Sequence, residues 1–575
     1  MHIRIITMAT LMAASMHLSA QDLEKNYKDT SSGNPISGSV FCADPTALDY
    51  KGRLYVYGSN DHQEFIKNGK KGSNTYGAIK SIVVFSTDDM VNWTFHGTID
   101  VGKLCSSWGW RFGNSWAPSV TWRTTADGKE EFFLYFANGA SNVGVLKANS
   151  PLGPWKSPLS KPMIDGDTPG VSPCKWCFDP GVVIDNNGVG WVTFGGGARN
   201  DNNSKSTNLQ PNNACIVKLE DDMIHMDSKA IKIPAPYHFE ANEMNIINGK
   251  YVYIYCTHFG AHDMWETYDK RGSYSAPGGG VMCYMVGDDP MHPEDWEYKG
   301  EFGPHPGTSG NNHSHLHKFQ GEYYHIYHSG ALLEAMKSAK ATNGGDYRSI
   351  CVNKATVNEE TQKINRVTLN NSGVSAIKNL DPYALQQAET MATCGGVMYE
   401  DFRNVEPNTK VSSLSNDASE NMYVKMKAGA WTMVRNASFG DEGARSFMFR
   451  VQGKGKLEIR FRKSDDPVAE MEFSADDWED KVISVDPAVF KGKRNLYFVF
   501  TEAKKVQFDA WNFSHEDASG IVPIRTAEGE PKALFDLNGH RLTDGTPYRG
   551  VVIEQYQDAS GKMRSRKRVS ADPVH

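Results

Sequence analysis

The sequence predicts an all-β protein: a five-bladed β-propeller followed by a β-sandwich of jelly-roll type. Three observations carry that expectation. One phrase recurs five times, a polar or turn residue leading through a first strand and a turn into an aromatic strand, with starts at Asp44, Pro118, Asp179, Glu240 and Asn312. Successive starts lie 74, 61, 61 and 72 residues apart, which leaves each unit room for roughly four ordinary strands plus loops. That is the size of a propeller blade. Between about residues 39 and 380, short alternating or aromatic runs are broken by turn pairs such as Asp127-Gly128, Asn187-Gly188 and Asn248-Gly249, with no long helical periodicity. A further set of short strands, near KLEIRFRK, NLYFVFTE and VQFDAWNF, follows.

Taken in order, residues 1–20 hold a basic start, an apolar stretch and a small-residue end at Ser19-Ala20, the pattern of a secretory signal peptide. Residues 21 to about 38 are a polar lead-in. The propeller is expected over 39–380, with the stretch from Arg348 to Val367 completing its fifth blade. A helix-leaning segment around Asp381 to Thr393 precedes a break at Gly395-Gly396. The sandwich is expected over 396–515, about the length that short strands need for two layers. Residues 516–575 are too polar and too few to build much core, and predict a small β appendage or a tail.

At 575 residues more than one domain is required. A formal charge of −7 gives no hint of nucleic acid, and the short basic run from Lys562 to Lys567 reads as a solvated tail. No segment after the leader could span a bilayer, so the mature chain is expected to be exported, periplasmic, cell-surface or secreted, and monomeric. The nine cysteines include one close pair, Cys174 and Cys177. No second pair at zinc spacing accompanies it; a local disulfide and two free thiols are both open readings.

In a propeller the first strand of every blade lines the central channel, so one repeat position converges on the axis. Three of the five positions are carboxylates: Asp44, Asp179 and Glu240. Two carboxyl groups flanking a glycosidic bond hydrolyse it, one protonating the leaving oxygen and one activating water; a third nearby raises the acid's pKa by like-charge repulsion. Glu243 competes with Glu240. Counting back from the turn glycine favours Glu240, nine residues before Gly249 as Asp179 is nine before Gly188, and strand alternation puts Glu243 on the opposite face. Asn312 and His313 fill the fifth position, and Trp108, Trp110 and Trp116 could stack on a sugar ring.

The phrases Phe41-Cys42-Ala43-Asp44-Pro45, Trp116-Ala117-Pro118, PLGPW at 151–155, Phe178-Asp179-Pro180, Phe239-Glu240-Ala241 and Asn311-Asn312-His313 resemble glycoside hydrolase family 43 over about residues 39–375. The resemblance implies a five-bladed propeller with an axial pocket, Asp44 as general base, Glu240 as general acid and Asp179 as the residue that tunes and orients the acid. It also implies inversion of configuration, with acid and base roughly 6.5–9.5 Å apart, and a calcium ion in the channel beside His313. Trp116 and Asn312 are the expected substrate contacts.

The second unit resembles a family 6 carbohydrate-binding module through Asn416 to Asn421, Gly429-Ala430-Trp431 and Phe508 to Asn512, with Asn512 at a sugar-gripping position. The short link between NLYFVFTE and VQFDAWNF lacks that module's aromatic platform. The phrase ALFDLNGHRL resembles C-terminal sorting segments of secreted proteins. The expected activity is removal of α-L-arabinofuranosyl side groups from the plant polysaccharides arabinoxylan or arabinan. The alternatives are a β-xylosidase or an endo-arabinanase, and, from another class, a non-catalytic glycan-binding propeller.

Overall fold

A computed structural model describes residues 23–197, 209–260, 262–404 and 422–518, together with the strands Ala533–Phe535, Arg541–Leu542, Gly550–Gln557 and Met563–Ser570. The leader-like residues 1–20 and the phrase from Asn416 to Asn421 lie outside the described residues. Among those described, no helix is long and apolar enough to cross a membrane.

Five sheets form the blades. The first contains β1 (Ala43–Tyr50), β2 (Arg53–Ser59), β3 (Ile82–Thr87) and β4 (Trp93–Ile99); the second β5 (Trp116–Thr124), β6 (Glu130–Asn138), β7 (Asn142–Ala148) and β8 (Ile164–Asp165). The third contains β9 (Gly181–Ile184), β10 (Gly190–Phe194), β11 (Cys215–Lys218) and β12 (Ile231–Lys232), and the fourth β13 (His238–Ile247), β14 (Lys250–Thr257), β15 (Met282–Gly287) and β16 (Glu297–Gly303). The fifth has three strands, β17 (Ser314–Phe319), β18 (Glu322–Ser329) and β19 (Ser349–Ala355). All are antiparallel meanders, and β1, β5, β9, β13 and β17 touch in succession around a closed ring.

Strands such as β3 and β14 are buried on both faces because each blade packs against two neighbours, so their sequences are continuously apolar. Aromatic side chains fill the spaces between blades, as with Trp191, Tyr253 and Trp296 between the third and fourth. Closed rings leave few sheet edges exposed.

Two expectations change here. The stretch after Arg348 gives β19 and a separate hairpin, Val357–Asn358 with Lys363–Ile364, in place of a fourth strand. The edge of β19 is taken instead by the lead-in, through Ile36 N–H to Ile350 O at 2.8 Å, Cys42 N–H to Arg348 O at 2.9 Å and Val352 N–H to Asn34 Oδ1 at 2.7 Å. The lead-in is thus a buried clasp joining the last blade to the first. The helix-leaning segment forms strands: Thr390–Met391 extends the first blade beside β4, and Thr393–Gly395 joins the second unit. Open strand edges on both sides override a weak local preference.

The second unit is one curled eight-stranded sheet that folds back over its own core. Two of its long strands, Ser446–Arg460 and Lys493–Ser514, pair with each other through repeated bulges. The anticipated link between NLYFVFTE and VQFDAWNF is therefore strand interior, bent where Lys505 adopts φ 55°. The same apolar core continues into the first and fifth blades, through Phe95 of the first and Phe319 and Ile350 of the fifth. The last strands form a separate four-stranded sheet.

Candidate active site

The repeat does its work through a shared irregularity. Strand β1 pairs Ala43 with Ser59 and Thr46 with Tyr57; β5 pairs Trp116 with Ala137 and Ser119 with Tyr135; β13 pairs Glu240 with Cys256 and Glu243 with Ile254. Each inner strand therefore spends one extra residue, a bulge that re-aims the side chains at its start. The residue that follows Ala43, Trp116 and Glu240 is left-handed: Asp44 φ 49°, Ala117 φ 38° and Ala241 φ 62°, with Asp179 at φ 48° just before β9. Non-glycine residues seldom adopt this conformation, and such strain collects at functional sites.

The bulge corrects the register. Asp44, Ala117, Asp179 and Ala241 are equivalent, and Glu240 stands one place earlier, beside Ala43, Trp116 and Phe178. Ala241 precedes Gly249 by eight residues, as Asp44 precedes Gly52. The bulge also removes the alternation argument against Glu243, since Glu240 and Glu243 pair with residues two apart. What separates them is depth. Glu240 lines the axial pocket, whereas the Glu243 carboxylate accepts Leu316 N–H at 3.0 and 3.1 Å and lies 2.9 Å from His315 Nδ1.

That pocket, about 300 Å³, is lined by Asp44, Asp179, Glu240, His313, Asn311 and Arg348, with a wall of Tyr76, Trp116, Trp176 and Phe178. Asp44 Oδ1 receives Arg348 Nη1 at 2.6 Å and Oδ2 receives Ser59 Oγ at 2.7 Å. Burial pushes its pKa up, but the Arg348 guanidinium, with His328 and His313 beside it, more than offsets this and holds the carboxyl well below the usual range. Arg348 is itself clamped by Asp61, at 2.9 and 2.8 Å.

Glu240 is the opposite case. Burial, then Asp179, then Asp44 push its pKa well above the ordinary value, and its Oε1 has no hydrogen-bond partner. The Asn312 N–H donates to its carboxyl and only partly opposes the shift. Asp179 is raised to about 7, first by burial and then by Asp44; Ala241 N–H donates to its Oδ2 at 3.0 Å. A buried carboxylate and a buried carboxylic acid in one pocket are the acid–base pairing that splitting a glycosidic bond calls for.

Most of the expected site residues meet here, with three changes. Asn312 does not line the pocket: it is 1% exposed, its Nδ2 donates to Gly280 O at 3.0 Å, and its neighbour Asn311 faces the cavity. Of the three tryptophans only Trp116 reaches the pocket, held by Nε1–H to Tyr76 O at 2.9 Å; Trp108 is core and Trp110 is surface. His313 Nδ1 lies 3.9 Å from Asp44 and 3.8 Å from Asp179, and burial lowers its pKa to about 4. Those two carboxylates are engaged by Arg348, Ser59 and Ala241 N–H, so the side chains around His313 do not compose the six- to eight-oxygen shell calcium takes. Among the described residues the one carboxylate and histidine cluster tight enough for an ion is Glu220, Asp222 and His225, on the surface.

Residues 32–361 match the profile of Glycosyl hydrolases family 43. The chain belongs to that family. It is 35% identical over 544 residues to the arabinoxylan arabinofuranohydrolase of Paenibacillus polymyxa, spanning 90% of this chain and 80% of that one. It is 35% identical over 510 residues to the protein of that name from Bacillus subtilis (strain 168), spanning 85% of this chain and 93% of that one. The crystal structure of a family 43 arabinoxylan arabinofuranohydrolase from Bacillus subtilis, in complex with cellotetraose, superposes with a TM-score of 0.75 at 32% identity, covering 86% of this chain and 99% of that one.

Within the family 43 propeller, sequence reasoning missed Arg348, Tyr76, Trp176 and Phe178. Trp176 sits between Cys174 and Cys177, where the cysteine spacing drew attention from the aromatic. Glycines admit it: a Cβ on Gly197, at φ +81°, would lie 2.4 Å from the Trp176 ring. A Gly197→Ala variant is expected to displace that ring and raise KM about tenfold, with kcat changed less; steady-state kinetics checks the split.

Proposed function

We propose that this chain is an inverting α-L-arabinofuranosidase that removes arabinose side groups from arabinoxylan or arabinan. One observation carries the chemistry: a single pocket holds Asp44, clamped by Arg348 so that its pKa is held low, and a buried Glu240 whose pKa is pushed well above the ordinary value. In this reading Asp44 takes a proton from water as it attacks the anomeric carbon, Glu240 protonates the departing glycosidic oxygen, and Asp179 holds Glu240's pKa up.

The substrate follows from the two arabinoxylan arabinofuranohydrolases, similar across most of their length, and the small cavity suits one terminal pentose with Trp116 and Trp176 on its faces. The test is incubation with arabinoxylan, arabinan and aryl pentosides, then identification of the released sugar. Arabinose is the expected product; xylose would replace the reading with a β-xylosidase, oligosaccharides with an endo-arabinanase, and no product with a glycan-binding propeller. The reading includes export by residues 1–20, a monomer in solution, and a family 6-like role for the second unit. Asn512 Nδ2 donates to Phe513 O at 3.2 Å in that unit.

Asp179→Asn removes the like charge nearest Glu240, so Glu240's pKa falls toward its ordinary value. The alkaline limb of kcat/KM is then expected to move to lower pH by about one unit, as a pH–rate profile on an aryl arabinofuranoside would show. An unmoved limb would remove the tuning role.

A further inference from the structure

At the start of three inner strands a strained backbone N–H is taken up by a side chain of the preceding blade. Ala117 N–H donates to Ser59 Oγ at 2.8 Å, Ala241 N–H to Asp179 Oδ2 at 3.0 Å, and Asp44 N–H to His328 Nδ1 at 3.1 Å. All three donors belong to left-handed residues. The bulge interrupts the strand ladder at each of them, so a buried N–H there needs an acceptor from elsewhere. Two of the acceptors hold matching places in their blades. Ser59 ends β2 opposite Ala43, and His328, next to the end of β18, donates its own N–H to His313 O at 3.4 Å.

His328 is fully buried, and its contacts decide which ring nitrogen carries the proton. A backbone N–H can only donate, so Nδ1 is the acceptor of Asp44 N–H and holds no hydrogen. Nε2 then carries it and donates to Asn311 O, 3.2 Å away. Nδ1 also lies 3.2 Å from Asp44 Oδ1, but that oxygen receives Arg348 Nη1 at 2.6 Å. The neutral ring thus ties the backbone of Asp44 to Asn311, whose side-chain oxygen is 3.4 Å from the same Arg348 nitrogen. On its other side Asp44 Oδ2 receives the Ser59 hydroxyl, which in turn accepts Ala117 N–H. Asp44 is therefore gripped at its N–H and at both carboxylate oxygens by three different side chains.

We propose that His328 is a positioning residue for the general base: through Nδ1 it holds Asp44 in the left-handed conformation and so aims the carboxylate at the attacking water. This role depends on Asp44 being the base of the activity proposed for the pocket. Ser59 and Arg348 fix the oxygens, whereas His328 fixes the backbone from which the side chain departs. Without that acceptor, Asp44 loses the bond that opposes relaxation of its strained φ. A reacting group displaced by about 1 Å costs about 10²-fold in rate.

The test compares His328→Asn with His328→Gln on an aryl pentoside that the parent hydrolyses, with circular dichroism to confirm folding. Asn places Oδ1 where Nδ1 stood and can still accept Asp44 N–H; Gln reaches one bond further, toward the place of Nε2, and leaves that N–H unpaired. His328→Asn should keep kcat within about fivefold of the parent, and His328→Gln should lose about 100-fold in kcat with KM changed less than about threefold. In neither should a new acid limb appear in kcat/KM. Equal losses in the two variants, full activity in His328→Gln, or a new acid limb, which would mean that the ring acts by its charge, overturns the proposal. Nitrogen-15 NMR of the parent decides even if a variant fails to fold: the His328 signals, assigned by their loss in a His328 variant or by labelling, should show the neutral form protonated at Nε2, and a proton on Nδ1 contradicts the role. Asp44→Ala separates the two readings. Turnover surviving in Asp44→Ala would fail the base assignment itself, whereas an inactive Asp44→Ala beside a fully active His328→Gln would fail the positioning role alone.

Discussion

Replacing Glu240 with Gln should lower turnover on arabinoxylan by about 10³-fold, the middle of the range for loss of a general acid, while glycan affinity is kept. Gln preserves the volume and the Asn312 N–H contact but has no proton to give the departing oxygen. Aryl arabinofuranosides with acidic phenols need less protonation, so their loss should be smaller; comparing kcat across leaving groups checks this. Stability should move the other way. Glu240's pKa is held well above the ordinary value of 4.5 in the folded chain and returns toward it when unfolded, so between 4.5 and its folded pKa the native state binds the extra proton. Folding stability is therefore lost as pH rises through that window. Gln removes this slope, so the Tm of Glu240→Gln relative to the parent should climb from pH 5 to pH 8, as calorimetry would show.

Arg348→Met should be the most damaging single change to the fold of the site. Arg348 is 2% exposed and its guanidinium binds both Asp44 and Asp61, which are 6% and 0% exposed. Removing one partner of a buried ion network costs about 3–5 kcal/mol because the remaining charges stay buried without it. The sign for Asp44 then reverses. In the parent its depressed pKa contributes stability that is present above 3.8 and lost as pH falls through the folded value. Without the guanidinium, burial dominates and raises that pKa, so an acid limb should appear in kcat/KM at pH values where the parent is flat. Arg348→Lys should recover part of the activity but less of the stability, since an ammonium restores the charge and not the fork that reaches both aspartates. An unchanged acid limb in Arg348→Met would remove Arg348 from Asp44's ionisation.

The propeller was legible because its repeat is written in residues the backbone demands: turn pairs, aromatic strand runs and a fixed opening phrase. Placement of Asp44, Asp179, Glu240 and Trp116 in one pocket followed from that repeat. The bulge was not legible, because it costs one residue of register and leaves no particular residue type behind; Glu240 was chosen on a count that is off by one and an alternation the bulge cancels. Arg348 was invisible for a different reason. It stands just before β19, over three hundred residues from Asp44, and reaches the base only because the ring closes. Asn312 was named for its side chain, yet its backbone N–H is what meets Glu240.

The account rests on one displacement by water activated at Asp44 while Glu240 donates its proton. Proton NMR of an arabinoxylan digest in its first minutes, before the free sugar mutarotates, tests this most directly. Single displacement predicts that β-L-arabinofuranose appears first and the α anomer grows in later. Initial appearance of the α anomer would mean a covalent intermediate and two displacements, and would contradict the roles assigned to Asp44 and Glu240.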